Sequence, residues 1–179
     1  MQRNKTIMET DSGKMLLENK WTMWVNTITE NYENSLKEIY TVDSVKEFWM
    51  LYNTMPRSKD LKVGVSYHLM LDKVKPLWED EGNEHGYTLV IFVKKNETEK
   101  FWKTFLMCLV GSNIDDIHKC NGISLVVKKT KNVIKLWFPR LQKDPIIVHD
   151  LLKQYIKLNM PEYEILDTYF NSHDSYEKK

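Results

Sequence analysis

The chain has 179 residues, 42% of them hydrophobic and 28% charged, which is typical of a domain with a core of its own. Its 26 basic and 25 acidic residues leave a net charge of +1, which excludes a protein that attracts nucleic acid through its overall charge. No run of residues is apolar enough for a signal sequence or a membrane-spanning helix, and the two cysteines lack zinc-ligand spacing.

The predicted elements form one domain of the α+β class, with a mostly antiparallel sheet, because hairpin-like strand pairs lie between spaced helices. Strands are expected at 21–28, 65–71, 87–93, 122–128, 133–138 and 162–170. Three helices are expected, one beginning at residue 45, one at 98–110 and one at 145–159. Polar segments at 1–14 and 175–179 predict flexible ends, which leaves 15–174 as the folded domain.

The first helix has a clear start signal. Ser44 and Glu47 have the spacing of a capping box, in which two side chains bond to the first free N–H groups of a helix. The apolar residues that follow at helical spacing are Val45, Phe48, Trp49 and Tyr52. This spacing alone leaves open whether Trp49 faces the core or the solvent.

Sequence patterns typical of enzymes are absent. No nucleophile elbow, phosphate-binding glycine loop, dinucleotide fingerprint or zinc-protease helix motif occurs. The five histidines are scattered, so each is expected to be a surface or structural residue. Glu79, Asp80 and Glu81 are consecutive and therefore do not present a pair of carboxylates to one substrate. We expect a binding protein and not an enzyme.

A loop at 76–83 combines a large aromatic ring with a carboxylate. Trp78 offers a flat π-face and Glu79 an anionic acceptor. Guanine methylated at N7 is cationic, so stacking on indole gains a cation–π contribution of roughly 0.5–2 kcal/mol, and its N1–H and N2–H₂ donors suit one carboxylate. The pair also fits a tryptophan that partly covers a core beside solvated acids. Taken alone, it does not decide between these interpretations.

The order of several motifs along the chain favours the first interpretation of Trp78 and Glu79, that of a ligand site. The motifs are Trp21-x-x-Trp24, Val45-Lys-Glu-Phe-Trp49-x-x-Tyr52, Leu61-x-x-Gly64-x-x-Tyr67, Pro76-Leu-Trp-Glu-Asp-Glu81, Phe101-Trp102 before Leu106-Met-Cys-Leu-Val-Gly111, and Trp137. In this order they resemble the eukaryotic translation initiation factor 4E family over residues 15–174. The resemblance implies a cap-binding domain: a curved antiparallel sheet with three α-helices on its convex face and the 7-methylguanosine cap of mRNA on its concave face.

The resemblance also implies roles for individual residues at the cap. Trp78 and Tyr32 would stack on the two faces of the methylated base, and Glu79 would accept hydrogen bonds from its edge. Trp137 would lie against the N7-methyl group, and Lys128 would bind the cap phosphates.

The residues at the positions that would bind the cap phosphates depart from the family pattern. The family's second phosphate-binding lysine falls on Val133, with Lys131 and Lys135 near enough to replace it, and a basic residue after the loop is replaced by Thr88. Phosphate binding is therefore predicted to rest on the cluster that contains Lys128 and Lys131.

On the opposite face the resemblance implies an apolar patch that receives an amphipathic helix from the scaffold subunit 4G or from a 4E-binding repressor. The corresponding residues are Leu17, Val45, Trp49, Lys103 and Met107. Lys103 stands where the family has a leucine, and the family's His-Pro-Leu reads Met-Leu-Leu, ending at Leu17.

The sequence thus predicts a monomeric factor that binds capped mRNA and recruits it for translation initiation through a scaffold partner. It is expected in the cytoplasm, with the nucleus as a second location, and without a metal, a cofactor or a membrane. Two alternatives remain open. Tyr32 and Lys103 favour a cap-binding translational repressor isoform, and the missing basic residues allow a protein-interaction module of the same fold without cap binding.

Overall fold

A seven-stranded sheet runs through the residues that this computed structural model describes, which are 14–27, 35–111, 120–140, 145–159 and 165–176. The strands are β1 Leu16–Asn26, β2 Leu36–Ser44, β3 Ser66–Leu71, β4 Tyr87–Val93, β5 Gly122–Val126, β6 Asn132–Phe138 and β7 Ile165–Ser172. Their order is β2-β1-β3-β5-β6-β4-β7, and every neighbouring pair is antiparallel. The predicted α+β class with a curved antiparallel sheet is confirmed.

Three α-helices occur among the described residues and lie on the convex face of the sheet. They are α1 Val45–Thr54, α2 Thr98–Val110 and α3 Pro145–Asn159, and single 3₁₀ turns occur at Ser58–Asp60 and His173–Tyr176. Ser44 caps α1 as predicted, whereas the second bond of the capping box is made one residue earlier, to Asp43 in place of Ser44. The N–H of Glu47 donates to Ser44 Oγ at 3.4 Å, and the N–H of Asp43 donates to the Glu47 carboxylate at 3.1 Å. None of the described helices is long and apolar enough to cross a membrane.

The structure adds a strand that the sequence analysis does not predict. Strand β2 lies at the edge of the sheet and pairs with β1 alone, and its residues 37–40 are exposed. Alternation of apolar and polar residues is the sequence signal of a half-buried strand, and an exposed edge strand does not carry it. The predicted start of β1 at residue 21 is too late for the same reason. The strand begins at Leu16, and its residues 18–20 are exposed.

The two faces of the sheet differ in chemistry. Along β6, Ile134, Leu136 and Phe138 are fully buried against the helices. They join a core that includes the α2 rings of Phe101 and Phe105, whose centroids lie 4.7 Å apart. Because side chains alternate along a strand, the intervening β6 residues face the opposite way; these are Val133, Lys135 and Trp137. We call this second surface the concave face.

Most of the two segments predicted to be flexible lies outside the described residues, namely 1–13 and 177–179. The described part of the first segment is held in place. Lys14 forms ion pairs with Asp43 at 2.7 Å and with Glu47 at 3.2 Å. The boundary of the folded domain at residue 15 stays a prediction.

Candidate functional site

The connection between β3 and β4, residues 72–86, carries the exposed aromatic ring of the concave face. Trp78 is 38% exposed, whereas four of the six tryptophans are buried and Trp49 is half-buried. The indole N–H of Trp78 donates to the carboxylate of the exposed Glu79. This bond places the anionic acceptor at the edge of the ring, within reach of N–H donors on the edge of a flat ligand stacked there.

A buried asparagine gives this loop its shape. Asn83 is fully buried, and its amide nitrogen donates to the carbonyl of Lys75 at 2.7 Å and to that of Leu77 at 2.8 Å. Its backbone N–H donates to the carbonyl of Asp80 at 2.7 Å. Hydrogen bonds inside the loop therefore hold the backbone just before Trp78 and restrict the position of its ring.

A second asparagine joins the loop to the end of β6. The amide of Asn121 donates to Asn83 Oδ1 at 3.2 Å and to the carbonyl of Gly82. Its backbone N–H donates to the carbonyl of Trp137 at 2.7 Å. The loop that carries Trp78 and the strand that carries Trp137 are thus parts of one hydrogen-bonded unit.

A buried histidine closes the other side of the loop. The carbonyl of Asn83 can only accept, so His173 Nδ1 carries the proton that it donates there, and Nε2 accepts from the hydroxyl of Thr88 at 2.7 Å. Burial is the main cause that lowers the pKa of His173, which keeps the ring neutral at pH 7. Gly86 is needed beside it, because a Cβ there would lie 2.2 Å from the carbonyl oxygen of Phe138.

Trp137 forms part of the floor below the loop. It is 6% exposed and packs with Trp24 and Met70 in a small cluster on the concave face. Its indole N–H donates to Ser124 Oγ at 2.7 Å, and its ring centroid lies 5.5 Å from that of His173. Its predicted contact with a methyl group stays a prediction, and only a small part of the ring is open to one.

A polar row continues from Trp137 across the concave face. Ser124 Oγ lies 2.6 Å from His68 Nδ1, and His68 Nε2 lies 3.0 Å from Ser66 Oγ. Burial, and then the charge of Lys135, lower the pKa of His68 to about 3, so the imidazole is neutral at pH 7. As predicted for lone histidines, His68 and His173 are structural residues with hydrogen-bonding partners.

The lysines near this row differ in their surroundings. Lys128 is exposed just after β5. Lys131 places its ammonium 3.8 Å from the ring centroid of Phe92, a cation–π contact. Lys135 is half-buried on the concave face, and burial, followed by the charge of Lys128, lowers its pKa. The predicted phosphate roles of Lys128 and Lys131 stay predictions.

One predicted cap residue, Tyr32, lies outside the described residues, so its predicted stacking on the base stays a prediction. Sequence reasoning missed the residues that hold the site together: Ser66, Asn83, Asn121 and Ser124. The only signal for Asn83 is its position in a short loop that also contains Asp80 and Gly82, residues typical of tight turns. Among the described residues no group of three metal-ligating side chains occurs.

The predicted partner residues lie at half-buried or exposed positions of the helical face. Leu17, Val45 and Trp49 are half-buried, and Met107 is 37% exposed. The Trp49 ring contacts its core neighbours edge-on, Phe48 at 5.2 Å and Tyr52 at 5.8 Å.

Helix periodicity alone does not show whether the aromatic side chains of α1 face the core or the solvent. The structure gives a different answer for each. Phe48 and Tyr52 are core residues, whereas Trp49 reaches the surface. The ammonium of Lys103 lies 5.5 Å from the centroid of the Trp49 ring.

Comparison with known proteins places the chain in a family. A family model described as "Eukaryotic initiation factor 4E" matches residues 16–179. Eukaryotic translation initiation factor 4E of Dictyostelium discoideum is 30% identical over 151 residues, which is 80% of this chain and 60% of that protein. The chain therefore spans less than two thirds of that relative's length.

Two solved structures share the fold. The complex of C. elegans eIF4E-3 with the 4E-binding protein Mextli and cap analog has a TM-score of 0.79 and 27% identity, over 92% of this chain and 95% of that one. The complex of Ascaris suum eIF4E-3 with m7G cap has a TM-score of 0.77 and 26% identity, over 89% and 92%. With its matching domain, its sheet and its tryptophan loop, the chain belongs to the eukaryotic initiation factor 4E family.

Proposed function

We propose that this protein binds the 7-methylguanosine cap of mRNA on its concave face and does not catalyse a reaction. The observation that carries the proposal is the exposed ring of Trp78 with the Glu79 carboxylate bonded to its edge, on a loop fixed by Asn83. A single exposed tryptophan is common on protein surfaces. One that is held rigidly beside an anionic acceptor is suited to a flat cationic ligand.

The chemistry of the two residues matches that of the methylated base. Methylation at N7 gives the ring a positive charge, so stacking on Trp78 gains a cation–π contribution of roughly 0.5–2 kcal/mol beyond ordinary stacking. When the base arrives, its N1–H and N2–H₂ donors take the place of the indole N–H at Glu79. Unmethylated guanine offers the same edge without the positive charge, which is the basis of the expected selectivity.

Related proteins support this assignment. The similar structures contain eIF4E-3 proteins with a cap analog and with m7G cap. The tryptophan loop that carries the chemistry falls within residues 16–179, the part of the chain that matches the family. A role in the cytoplasm, where capped mRNA is translated, follows from this function.

The protein partner we propose is a scaffold subunit or a 4E-binding protein that docks an amphipathic helix on the helical face. The C. elegans relative binds the 4E-binding protein Mextli in its solved complex. In this chain the half-buried Trp49 and the exposed Met107 offer apolar contact area for such a helix. Through a scaffold partner the protein would recruit capped mRNA for translation initiation.

Fluorescence titration tests the cap-binding proposal directly. Because Trp78 is exposed, 7-methyl-GTP should quench the intrinsic fluorescence, and GTP should bind much more weakly. Trp78→Ala should abolish binding, and the matched change Trp49→Ala, on the other face, should leave it unchanged. Equal affinity for 7-methyl-GTP and GTP, or normal binding by Trp78→Ala, would show that the base site is wrong.

One observation favours a second role, that of a cap-binding translational repressor. Lys103 places its ammonium 5.5 Å from the centroid of the Trp49 ring, on the surface proposed for the scaffold helix. A charged group there weakens apolar docking, so the protein would hold capped mRNA without engaging the scaffold. Recovery of a scaffold subunit with this protein on cap resin supports the initiation role, and its absence beside retained mRNA supports the repressor role.

A further inference from the structure

Two aromatic side chains lie side by side on the outer strands of the sheet. Phe92 of β4 and Tyr169 of β7 have ring centroids 5.9 Å apart, with ring planes inclined by 38°. Phe92 is half-buried, and Tyr169 is 44% exposed. The core on the helical side instead includes Leu89 and Ile91 of β4 and is contacted by Phe170 of β7. Phe92 and Tyr169 therefore belong to the opposite side of the sheet.

Strand pairing places both rings on the concave face. Phe92 lies opposite Val133 of β6, and Tyr169 lies opposite Val90 of β4, which in turn lies opposite Lys135. Residues directly opposite one another in a sheet share a face, and Val133 and Lys135 are concave-face residues. Both valines are buried. Two exposed or half-buried rings thus stand beside a closed apolar floor. We call the four residues Val90, Phe92, Val133 and Tyr169 the aromatic platform.

Positive charge borders one end of the aromatic platform. The ammonium of the half-buried Lys131 lies 3.8 Å from the ring centroid of Phe92, and this cation–π contact holds the charge in place. Lys128 and Lys129 are exposed in the same β5–β6 connection. At the other end the exposed Asp167 lies opposite Phe92 on β7. An anionic ligand is therefore expected to place its charge near the lysines and an uncharged part near Tyr169.

The aromatic platform continues the surface of the proposed base site. Tyr169 is two strands away from Lys135, and Trp137 is two residues from Lys135 along β6. This places Tyr169 about 10 Å across the strands and about 7 Å along them from Trp137. In capped mRNA a triphosphate joins the methylated nucleoside to the first nucleotide of the chain. A triphosphate with its two riboses can span this separation.

We propose that the aromatic platform binds a base of the RNA chain that follows the cap, by stacking on Tyr169. The adjoining phosphodiester then lies towards the Lys131 ammonium. This inference rests on the proposed cap-binding function and adds a second contact for the same message. Aromatic rings beside basic side chains bind single-stranded nucleic acid with little dependence on sequence, because every base has a π-face. The platform is therefore expected to accept any base.

An aromatic pair on neighbouring strands also stabilises a sheet without any ligand. The two roles differ in one measurable respect. A ring that only stabilises the sheet does not distinguish RNA from an RNA chain that lacks its bases. A stacking ring does, because the abasic chain keeps the phosphates and loses the π-faces.

A comparison of capped ligands tests the inference on the full chain. The ligands are 7-methyl-GTP, a short capped oligonucleotide, and the same capped oligonucleotide with abasic residues after the cap. The wild type should bind the capped oligonucleotide roughly 5- to 100-fold more tightly than its abasic counterpart, the range that one stacked base contributes. Tyr169→Ala should bind these two ligands equally and should bind 7-methyl-GTP as the wild type does. Tyr169→Trp, which keeps a stacking ring, should restore the difference.

A matched control is available at the other edge of the sheet. Tyr40 of β2 is 51% exposed, so Tyr40→Ala removes a similar ring from an edge strand far from the aromatic platform. Tyr40→Ala should keep the preference for the capped oligonucleotide over its abasic counterpart. Thermal melting of both variants shows whether either change affects the fold.

Three outcomes would overturn the inference. The platform does not stack a base if the wild type binds the capped oligonucleotide and its abasic counterpart equally, or if Tyr169→Ala keeps the preference. Equal weakening of all three ligands by Tyr169→Ala would mean that the ring supports the base site. Self-association of the unliganded protein in sedimentation, lost in Tyr169→Ala, would mean that a second copy of the chain covers the platform.

Uncapped RNA separates this inference from the cap-binding proposal. The same oligonucleotide with a 5′-triphosphate, and its abasic counterpart, are titrated against the wild type and Tyr169→Ala. If 7-methyl-GTP does not bind but Tyr169→Ala loses a preference for uncapped RNA over its abasic counterpart, the platform stands and the cap-binding proposal is wrong. If 7-methyl-GTP binds and no RNA ligand depends on Tyr169, the cap-binding proposal stands and the platform is wrong.

Discussion

The side-chain amide of Asn121 donates to Asn83 Oδ1 at 3.2 Å, and this contact ties the loop of Trp78 to the strand of Trp137. Both asparagines are buried. Asn83 shapes the loop through its own amide, and Asn121 holds that loop against the end of β6. The position of the exposed Trp78 ring therefore depends on a buried polar contact between two other residues.

Replacing Asn83 by Asp tests this dependence with almost no change in volume. An aspartate has no amide hydrogens, so the carbonyls of Lys75 and Leu77 lose their donor inside the protein. Each buried group left without a partner costs about 1–3 kcal/mol. We expect the free energy of unfolding to fall by about 2–4 kcal/mol in urea denaturation, with a parallel loss of affinity for 7-methyl-GTP. Asn53→Asp, at an exposed position of α1, should change neither quantity.

Glu79→Gln tests the acceptor at the edge of the base site. Glutamine keeps the shape and one carbonyl oxygen but removes the negative charge that strengthens bonds to the N–H donors of the base. We expect the affinity for 7-methyl-GTP to fall by about 1.5–3 kcal/mol, measured by fluorescence titration. Glu81→Gln is the matched control, because this residue is exposed in the same loop. An equal loss in both variants would point to the overall charge of the loop.

Much of the fold is predictable from the sequence because burial imposes patterns on it. Strand β6 alternates between core and concave-face residues, and α1 starts at a capping box, so both elements are recognised from their residues. Strand β2 is not recognised, since its side chains at 37–40 face solvent and the strand is defined by its backbone pairing with β1 alone.

The residues of the candidate site likewise include some that the sequence predicts and some that it does not. Trp78 and Glu79 could be singled out because their side chains suit the proposed ligand and because they stand in an ordered series of motifs along the chain. Asn121 and His173 could not, since their contacts with Asn83 join residues 38 and 90 positions apart. The bonds of Asn83 to Lys75 and Leu77 are local, but they depend on burial of its amide inside the loop. A lone asparagine has no sequence signature for such a contact.

His68 predicts a dependence of stability on pH. Its folded-state pKa of about 3 lies below the ordinary value of 6.5, so the unfolded chain binds the proton more tightly than the folded protein. Stability from this group is therefore complete above pH 6.5 and is lost as the pH falls towards 3, by at most about 1.4 kcal/mol per pH unit. His173 contributes with the same sign, because its pKa is also lowered.

Comparison of the wild type with His68→Gln isolates this contribution. Glutamine retains groups that can bond to Ser66 and Ser124 but does not titrate. The free energy of unfolding, measured in urea at a series of pH values below 6.5, should fall less steeply in the variant. Identical slopes for the two proteins would mean that His68 is not a buried neutral base in solution.

The contact between Lys103 and Trp49 predicts how the helical face can be altered. The Lys103 ammonium lies 5.5 Å from the centroid of the half-buried Trp49 ring, so we expect its charge to weaken the proposed apolar docking there. Lys103→Leu should therefore raise the affinity for the amphipathic helix of a 4E-binding protein by about tenfold, a change of about 1.4 kcal/mol, with 7-methyl-GTP binding unchanged. Lys100→Leu, at an exposed position of the same helix, controls for the general effect of an added apolar side chain. Isothermal titration of both variants with the same peptide provides the measurement. A gain of equal size in the two variants, or none in Lys103→Leu, would place the docking surface away from Trp49.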